Sequence, residues 1–369
     1  LAISYEYLLL LYETNIYMRE SLRRLASEDS EGMVRKVGSK RRVRIELLDG
    51  EHINIDLDRK AKGEELLDKV CENIDLEERD YFGLLHTQRG DTRIWVDLGR
   101  RLSKTFRNEP WDVRLAVKFY PAEPSELRDD VTRYQLALAV RADLLEGRLS
   151  CSTITSALLA SYILQAEAGD FVAEGATAAA LTEYNAAPLA LLTPHFVSQV
   201  EELHRRHKGF SPAEAELQFL ENAKKLPQYG VALHAAKDSN GADIALGVSA
   251  AGVAVWRDGV VMNRFPWPKI IKISFAKRSF TLKLRANEFD HFQTHLVFVL
   301  ASSRTAKKLW RCAVDHHVFF RRAQPVAVSQ WGLVGWVGAR RTSCRRTLRQ
   351  LRDLHCDLLP ASAIGVAAS

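Results

Sequence analysis

The sequence predicts an α+β fold in three consecutive lobes, and three observations carry that reading. Apolar residues alternate with polar ones from Arg42 to Leu57. After Pro121 and Pro124 the apolar spacing lengthens to about 3.6 residues, and after Gly230 the alternation returns before one final amphipathic helix. A chain of 369 residues exceeds the size at which a single core stays efficient, so two or three domains are expected.

In the first lobe, residues 41–122, Val43, Ile45 and Leu47 alternate with polar residues, Asp49-Gly50 makes a turn, and Ile53, Ile55 and Leu57 alternate again. That is a β-hairpin. A helix from Gly63 to Asn73 with Leu66, Leu67 and Val70 on one face, then strands around 81–86, 94–98 and 113–119, complete a unit for which a ubiquitin-like fold is the compact solution. In the second lobe, residues 123–228, segments 125–147, 153–168, 195–207 and 211–226 read as helices. The last opens on Ser211-Pro212-Ala213-Glu214, where serine caps and proline takes the first helical position. The stretch from Gly175 to Ala190 is helical by propensity, but its surroundings place it in a surface loop. In the third lobe, residues 229–321, strands at 231–234, 244–248, 252–256, 260–265, 270–275 and 280–285 precede a helix from Ser303 to Phe320. A helix that plugs one end of a curled sandwich is the pleckstrin-homology or phosphotyrosine-binding arrangement.

Composition narrows the function. Hydrophobic residues are 47% and charged residues 27%, the balance of a folded chain. The formal charge is +6, but residues 322–369 hold seven arginines against two aspartates, a net +5, which leaves +1 for the rest. So even a balance argues against a broad nucleic-acid-binding face. Five cysteines, widely spaced and without a CxxC pair, read as reduced thiols of a cytosolic protein. The apolar run from Tyr7 to Tyr12 is far shorter than the ~20 residues of a spanning helix.

Candidate chemistry lacks its parts. His291 and His295 lie four apart on an expected helix, a metal-ligand spacing, but Phe292 stands where a zinc hydrolase of the HExxH type needs glutamate. Asp315-His316-His317 has no second carboxylate cluster, and no GxSxG or GxxxxGK[ST] motif occurs. No metal, cofactor or catalytic residue is assigned. Trp267, between Pro266 and Pro268, reads as buried at a rigid strand entry. The last helix carries an apolar stripe of Ala306, Leu309 or Trp310, Ala313, Val314 and His317, suited to capping a sandwich. With Lys307, Lys308, Leu309, Trp310 and Phe319 it is also the kind of basic amphipathic helix that calmodulin wraps.

Three stretches carry a family resemblance. Trp95-Val96-Asp97-Leu98 through Val117-Lys118-Phe119-Tyr120-Pro121 is one, and His207-Lys208-Gly209-Phe210-Ser211-Pro212 through Tyr229-Gly230-Val231 is another. Arg264-Phe265-Pro266-Trp267-Pro268 with Ala306-Lys307-Lys308-Leu309-Trp310 and His316 to Arg321 is the third. Together they resemble the FERM domain, and the third is similar to the band 4.1 branch in particular. The resemblance covers residues 42–321. Arg79, inserted in Leu76-Glu77-Glu78-Arg79-Asp80-Tyr81, departs from the acidic segment of that branch, and residues 175–190 depart from the family pattern.

The resemblance implies a three-lobed FERM fold: a ubiquitin-like β-grasp, an acyl-CoA-binding-protein-like helical bundle, and a PH/PTB-like sandwich with a capping helix. It implies a non-enzymatic membrane-cytoskeleton adaptor at the cell cortex, peripheral to the plasma membrane. Its expected partners are cytoplasmic tails of transmembrane proteins, acidic phosphoinositides and calmodulin, with spectrin and actin held through regions not present here. The alternative is a regulatory module of a larger signalling enzyme, such as a FERM-containing phosphatase. Arg100 and Arg101, with Lys277 and Arg278, resemble the paired basic residues of an inositol-lipid site shared by the first and third lobes. A ligand strand is expected beside Ile271, Lys272, Ile273 and Phe275, with Leu309 in the helix wall, and a proline at Lys272 is expected to remove a ladder donor. Residues 1–40 read as a flexible lead-in, and 322–369 as a basic tail without family features, disordered or an artefact of the gene model. Limited proteolysis is expected to leave a core from near Arg41 to near Arg322; cuts inside the lobes that precede loss of the ends would contradict this.

Overall fold

The computed structural model describes residues 40–320 except 89, 90, 108, 173, 174 and 286–294. It divides into two units, the first ending at Gly230 and the second beginning at Val231. The first unit holds a mixed lobe and a helical lobe.

The mixed lobe contains β1 (Lys40–Glu46), β2 (His52–Asp58), α1 (Gly63–Asn73), β3 (Phe82–Gln88), β4 (Asp91–Trp95), α2 (Leu102–Thr105) and β5 (Asp112–Val117). The sheet order is β2-β1-β5-β3-β4, with β1 and β5 parallel and Ile45 opposite Val113. The period-two pattern works as read: Val43, Ile45, Val113 and Leu115 are buried, as are Leu66, Leu67 and Val70 of α1. The entry to α1 needs glycine for a local reason. A Cβ on Gly63 would lie 2.8 Å from the Asp97 carbonyl oxygen. That close approach lets the Gly63 amide donate to the Arg100 carbonyl (3.1 Å) while the Leu102 amide donates to Ala61 (2.9 Å), so Arg100 and Arg101 are held on a fixed turn.

The acidic segment is occupied within this unit. One Glu78 oxygen accepts from the amides of Arg128 (3.0 Å) and Asp129 (3.4 Å), and Arg79 pairs with Asp68 at 2.8 Å. The helical lobe follows: α3 (Asp130–Leu145), α4 (Thr153–Ala168), α5 (Thr177–Glu183), α6 (Pro194–Arg206) and α7 (Pro212–Ala223). Asp129, Ser152, Thr193 and Ser211 cap α3, α4, α6 and α7 through their side-chain oxygens. Leu136, Leu159, Leu164, Phe196 and Leu220 form the core.

Two expectations need correction. Residues 175–190, expected as a surface loop, contain α5 and a 3₁₀ turn at Leu189–Leu191. Leu181 is fully buried and Thr177 nearly so, with α5 packed on α4 and α6. A two-turn helix held by one leucine leaves no periodic stripe to read. His295, expected on a helix with His291, opens a strand instead; His291 lies outside the described residues. Phe298 and Leu300 are buried while Val297 is 45% exposed, a period of two that four-residue histidine spacing obscured.

The second unit is one lobe: β6 (Ala232–Lys237), β7 (Asp243–Ser249), β8 (Gly252–Arg257), β9 (Val260–Pro266), β10 (Ile270–Ala276), β11 (Ser279–Leu284), β12 (His295–Val299) and α8 (Ser303–Phe320). The order is β10-β11-β12-β6-β7-β8-β9, so β9 and β10 are the edges. Trp267 sits in the 3₁₀ turn between them, buried, its indole N–H on the Ala250 carbonyl (3.0 Å) and its ring edge-on to His317. Leu246, Val248, Ile273, Phe280 and Leu282 meet Ala306, Leu309, Ala313 and Val314 of α8 in one core. Asp315, His316 and His317 are buried too: Arg311 Nε holds Asp315 (3.0 Å), and His316 Nδ1 bonds the Cys312 carbonyl (2.9 Å). These are packing contacts within one helix and its neighbours.

One titration follows from the helical lobe. Glu216 of α7 faces a cleft shared with Tyr134 and Tyr162, and its carboxyl is pushed up to about 7 by burial and by the nearby Glu167 carboxylate, against the pull of Arg133. The folded value lies above the ordinary 4.5, so this contribution is complete at low pH and lost as pH rises through about 7. Glu216→Gln is expected to change stability little near pH ~5 and to raise it by roughly 1 kcal/mol near pH ~8, partial exposure discounting the full linkage value. Urea titrations at both pH values check this; equal effects at both would contradict it.

Candidate functional site

The β10 edge runs beside α8, and its pairing dictates which backbone groups face out. A two-residue turn, Lys277-Arg278, closes the β10–β11 hairpin with Ala276 opposite Ser279. In an antiparallel ladder hydrogen-bonded and non-bonded pairs alternate, so Ala276, Ser274 and Lys272 point to β11 while Phe275 and Ile273 point outward. The Trp310 indole agrees, since its Nε1–H donates to the Ile273 carbonyl from the helix side at 3.3 Å. The Phe275 ring lies 5.2 Å from the Trp310 ring. The register shifts between Ile270 and Lys272, which makes Ile271 the bulged residue, 37% exposed.

Of the expected peptide-binding residues, Ile271 is exposed, Lys272 and Phe275 are half-buried, and Ile273 and Leu309 are in the core. Ile273 can offer only its backbone to a ligand, and Leu309 nothing without undocking α8. The expected use of Lys272→Pro is corrected: its N–H faces β11, so proline there breaks the sheet rather than the outer edge. Sequence reasoning missed Trp310 as a groove residue. Its place one turn from Lys307 was the available signal.

Of the expected calmodulin residues, Lys307 is exposed, Lys308 and Trp310 are half-buried, and Leu309 and Phe319 are buried. The apolar anchors therefore serve the lobe core in the folded state. The basic pairs lie on turns, one in each unit, all four side chains exposed. Lys277 adopts φ +52°, a conformation that favours glycine and costs other residues about 1 kcal/mol. Lys277→Gly is accordingly expected to stabilise the second unit by up to about 1 kcal/mol in urea unfolding, while removing the charge. A loss of stability would contradict the strained turn.

Comparisons with known proteins follow this geometry. Family models described as FERM N-terminal domain, FERM central domain and FERM C-terminal PH-like domain match residues 45–108, 122–234 and 238–327. The chain is 50% identical over 289 residues to Protein 4.1 homolog of Drosophila melanogaster, covering 78% of this chain and 17% of that protein. It is 45% identical over 301 residues to Band 4.1-like protein 2 of Homo sapiens, covering 82% and 30%. With Protein 4.1 of Bos taurus it shares 44% over 278 residues, 75% of this chain and 45% of that one, so it spans less than half the length of these relatives. The FERM and C-terminal domain complex of Drosophila Merlin shares the fold with a TM-score of 0.67 at 24% identity, over 75% of this chain and 95% of that one. The human Myosin 7b C-terminal MyTH4-FERM domain, solved in complex with harmonin-a PDZ3 domain, gives 0.57 at 15% identity over 75% and 60%. The three family matches together span well over half of the chain, and the chain belongs to the FERM family, in its band 4.1 branch.

Proposed function

We propose that this chain is the membrane-facing part of a cortical adaptor, which takes cytoplasmic tails of transmembrane proteins as an added strand on β10. The observation that carries the reading is the outward backbone of Phe275 on an edge strand beside α8, a template for main-chain pairing. Membership of the band 4.1 branch supports it. Among the described residues no helix is long and apolar enough to cross a membrane, which suits a peripheral role. Contacts to spectrin and actin are assigned to no residue, because the chain spans less than half of its relatives. Calmodulin is a further proposed partner of α8, one that needs Leu309 and Phe319 out of the core.

The test uses the bulge, where a side chain is exposed and the ladder to β11 is untouched. Ile271→Asp is expected to weaken capture of detergent-solubilised membrane-protein tails about tenfold, with unfolding unchanged. Full capture by a folded Ile271→Asp protein would sink the groove.

Phosphoinositide binding is proposed for each basic pair, on exposure and local charge. Arg100→Glu with Arg101→Glu, and separately Lys277→Glu with Arg278→Glu, are expected to weaken binding to phosphoinositide-containing vesicles in a salt-dependent way. A pair whose reversal leaves vesicle binding at ~0.1 M salt like the parent's has no part in the site.

A further inference from the structure

The cleft beside Glu216 in the helical lobe is built from three helices. Ala137 and Leu138 of α3 and Ile163 and Ala166 of α4 line it from two sides, and α7, which packs on both helices, brings in Glu216. The two alanines leave a gap. Its free volume is about 30 Å³, room for roughly two water molecules, and the rings of Tyr134 and Tyr162 complete the lining.

The cations beside this space are engaged elsewhere. Arg141 pairs with Glu167 (2.8 Å) and donates to the Asn185 carbonyl (3.3 Å), while Arg133 donates to the Leu127 carbonyl (2.6 Å) and pairs with Asp130. Among the described residues, no hydrogen bond or ion pair reaches the half-buried Glu216 carboxyl. Glu167 repels its charge from α4, and Asp49 of the β1–β2 turn adds to the negative field at Tyr134. A carboxylate drawn out of water without a partner costs stability, and one incoming cation would remove that cost.

Shape narrows the choice of cation. A guanidinium is a planar fork that needs room for two parallel bonds, whereas an ammonium is a compact point charge on an apolar stem. A small space with apolar sides and a single free carboxyl suits the ammonium. The two tyrosine rings favour a cation as well.

We propose that this cleft takes a lysine side chain from a partner protein, with the stem along Ala137, Leu138, Ile163 and Ala166 and the ammonium on Glu216. The site belongs to the first unit and owes nothing to the edge strand β10. It is a second point of attachment for a protein ligand.

Ionisation gives the site a pH signature. The carboxyl attracts the ammonium only when ionised, and a folded value of about 7 leaves it ~90% ionised at pH ~8 and ~10% ionised at pH ~6. Lysine stays protonated throughout that range. Affinity is therefore expected to rise about tenfold from pH ~6 to pH ~8.

The experiment uses the full chain with labelled alanine and isoleucine methyl groups, and three probes: Nα-acetyl-lysine N-methylamide, its arginine counterpart and its uncharged norleucine counterpart. In NMR titrations at pH ~8 and ~0.1 M salt, the lysine probe is expected to shift the methyl signals of Ala137, Ile163 and Ala166. It should bind at least about fivefold more tightly than either other probe. Glu216→Gln, a change expected to leave the lobe folded, should weaken lysine binding at least about fivefold at pH ~8 and remove its pH dependence.

Equal binding of the norleucine probe would make the cleft an apolar pocket and overturn the proposal. Equal binding of the arginine probe would overturn the assignment to lysine. Silent methyl signals with the lysine probe, equal affinity at the two pH values, or full binding by folded Glu216→Gln would each overturn the site itself.

Discussion

The insertion of α8 into the open sandwich of the second unit is the contact on which the candidate site depends. Ala306, Leu309, Ala313 and Val314 are all nearly or fully buried, and they touch strands from both halves of the curled sheet, including Leu246 of β7 and Phe280 of β11. Burying a leucine of this kind is worth of order 2 kcal/mol, and emptying its site costs more because a cavity remains. Without that stripe, β10 would be an edge strand with nothing beside it. The same helix therefore supplies both the core of the lobe and one wall of the groove.

This double duty explains why the residues of α8 sort so sharply. Positions that point inward are small or aliphatic, and Trp310, at the margin, has one face on Phe275 and its N–H on the sheet edge. Lys307, one turn earlier, faces solvent. A basic amphipathic helix in this setting is first a structural element, and its cations become available to a ligand only because the apolar face is already satisfied. Calmodulin, which would need the apolar face, competes with folding of the lobe, whereas an added strand does not.

Where the sequence was legible, one face of an element was buried and the other was not. The β1–β2 hairpin and the limits of α8 could be read from alternation and from the 306/309/313/314 stripe, because burial imposes those periods. Trp267 was readable as buried because flanking prolines fix its backbone. What failed was of another kind. The helix Thr177–Glu183 is too short to display a period, and β12 lies in a segment where histidine spacing mimicked a helix. For the site, the basic pairs and the edge strand could be located from the family pattern, but the outward face of β10 could not. That face depends on register, and a shift of one residue exchanges inward and outward groups. Hence Lys272 was assigned a donor that it spends on β11, and the hydrogen bond between Trp310 and Ile273, distant in sequence, left no local trace.

If α8 is the plug that holds the lobe, its amides can exchange with solvent only when the lobe unfolds. Native-state hydrogen exchange measures this directly. The account predicts that the amides of Leu309 to Val314 exchange with the same opening free energy as those of Leu246 in β7 and Val255 in β8, and that all of them match the value from urea unfolding of the lobe. Exchange of the helix at a distinctly lower free energy, with β7 and β8 still protected, would show that α8 leaves an intact sandwich and would contradict the account.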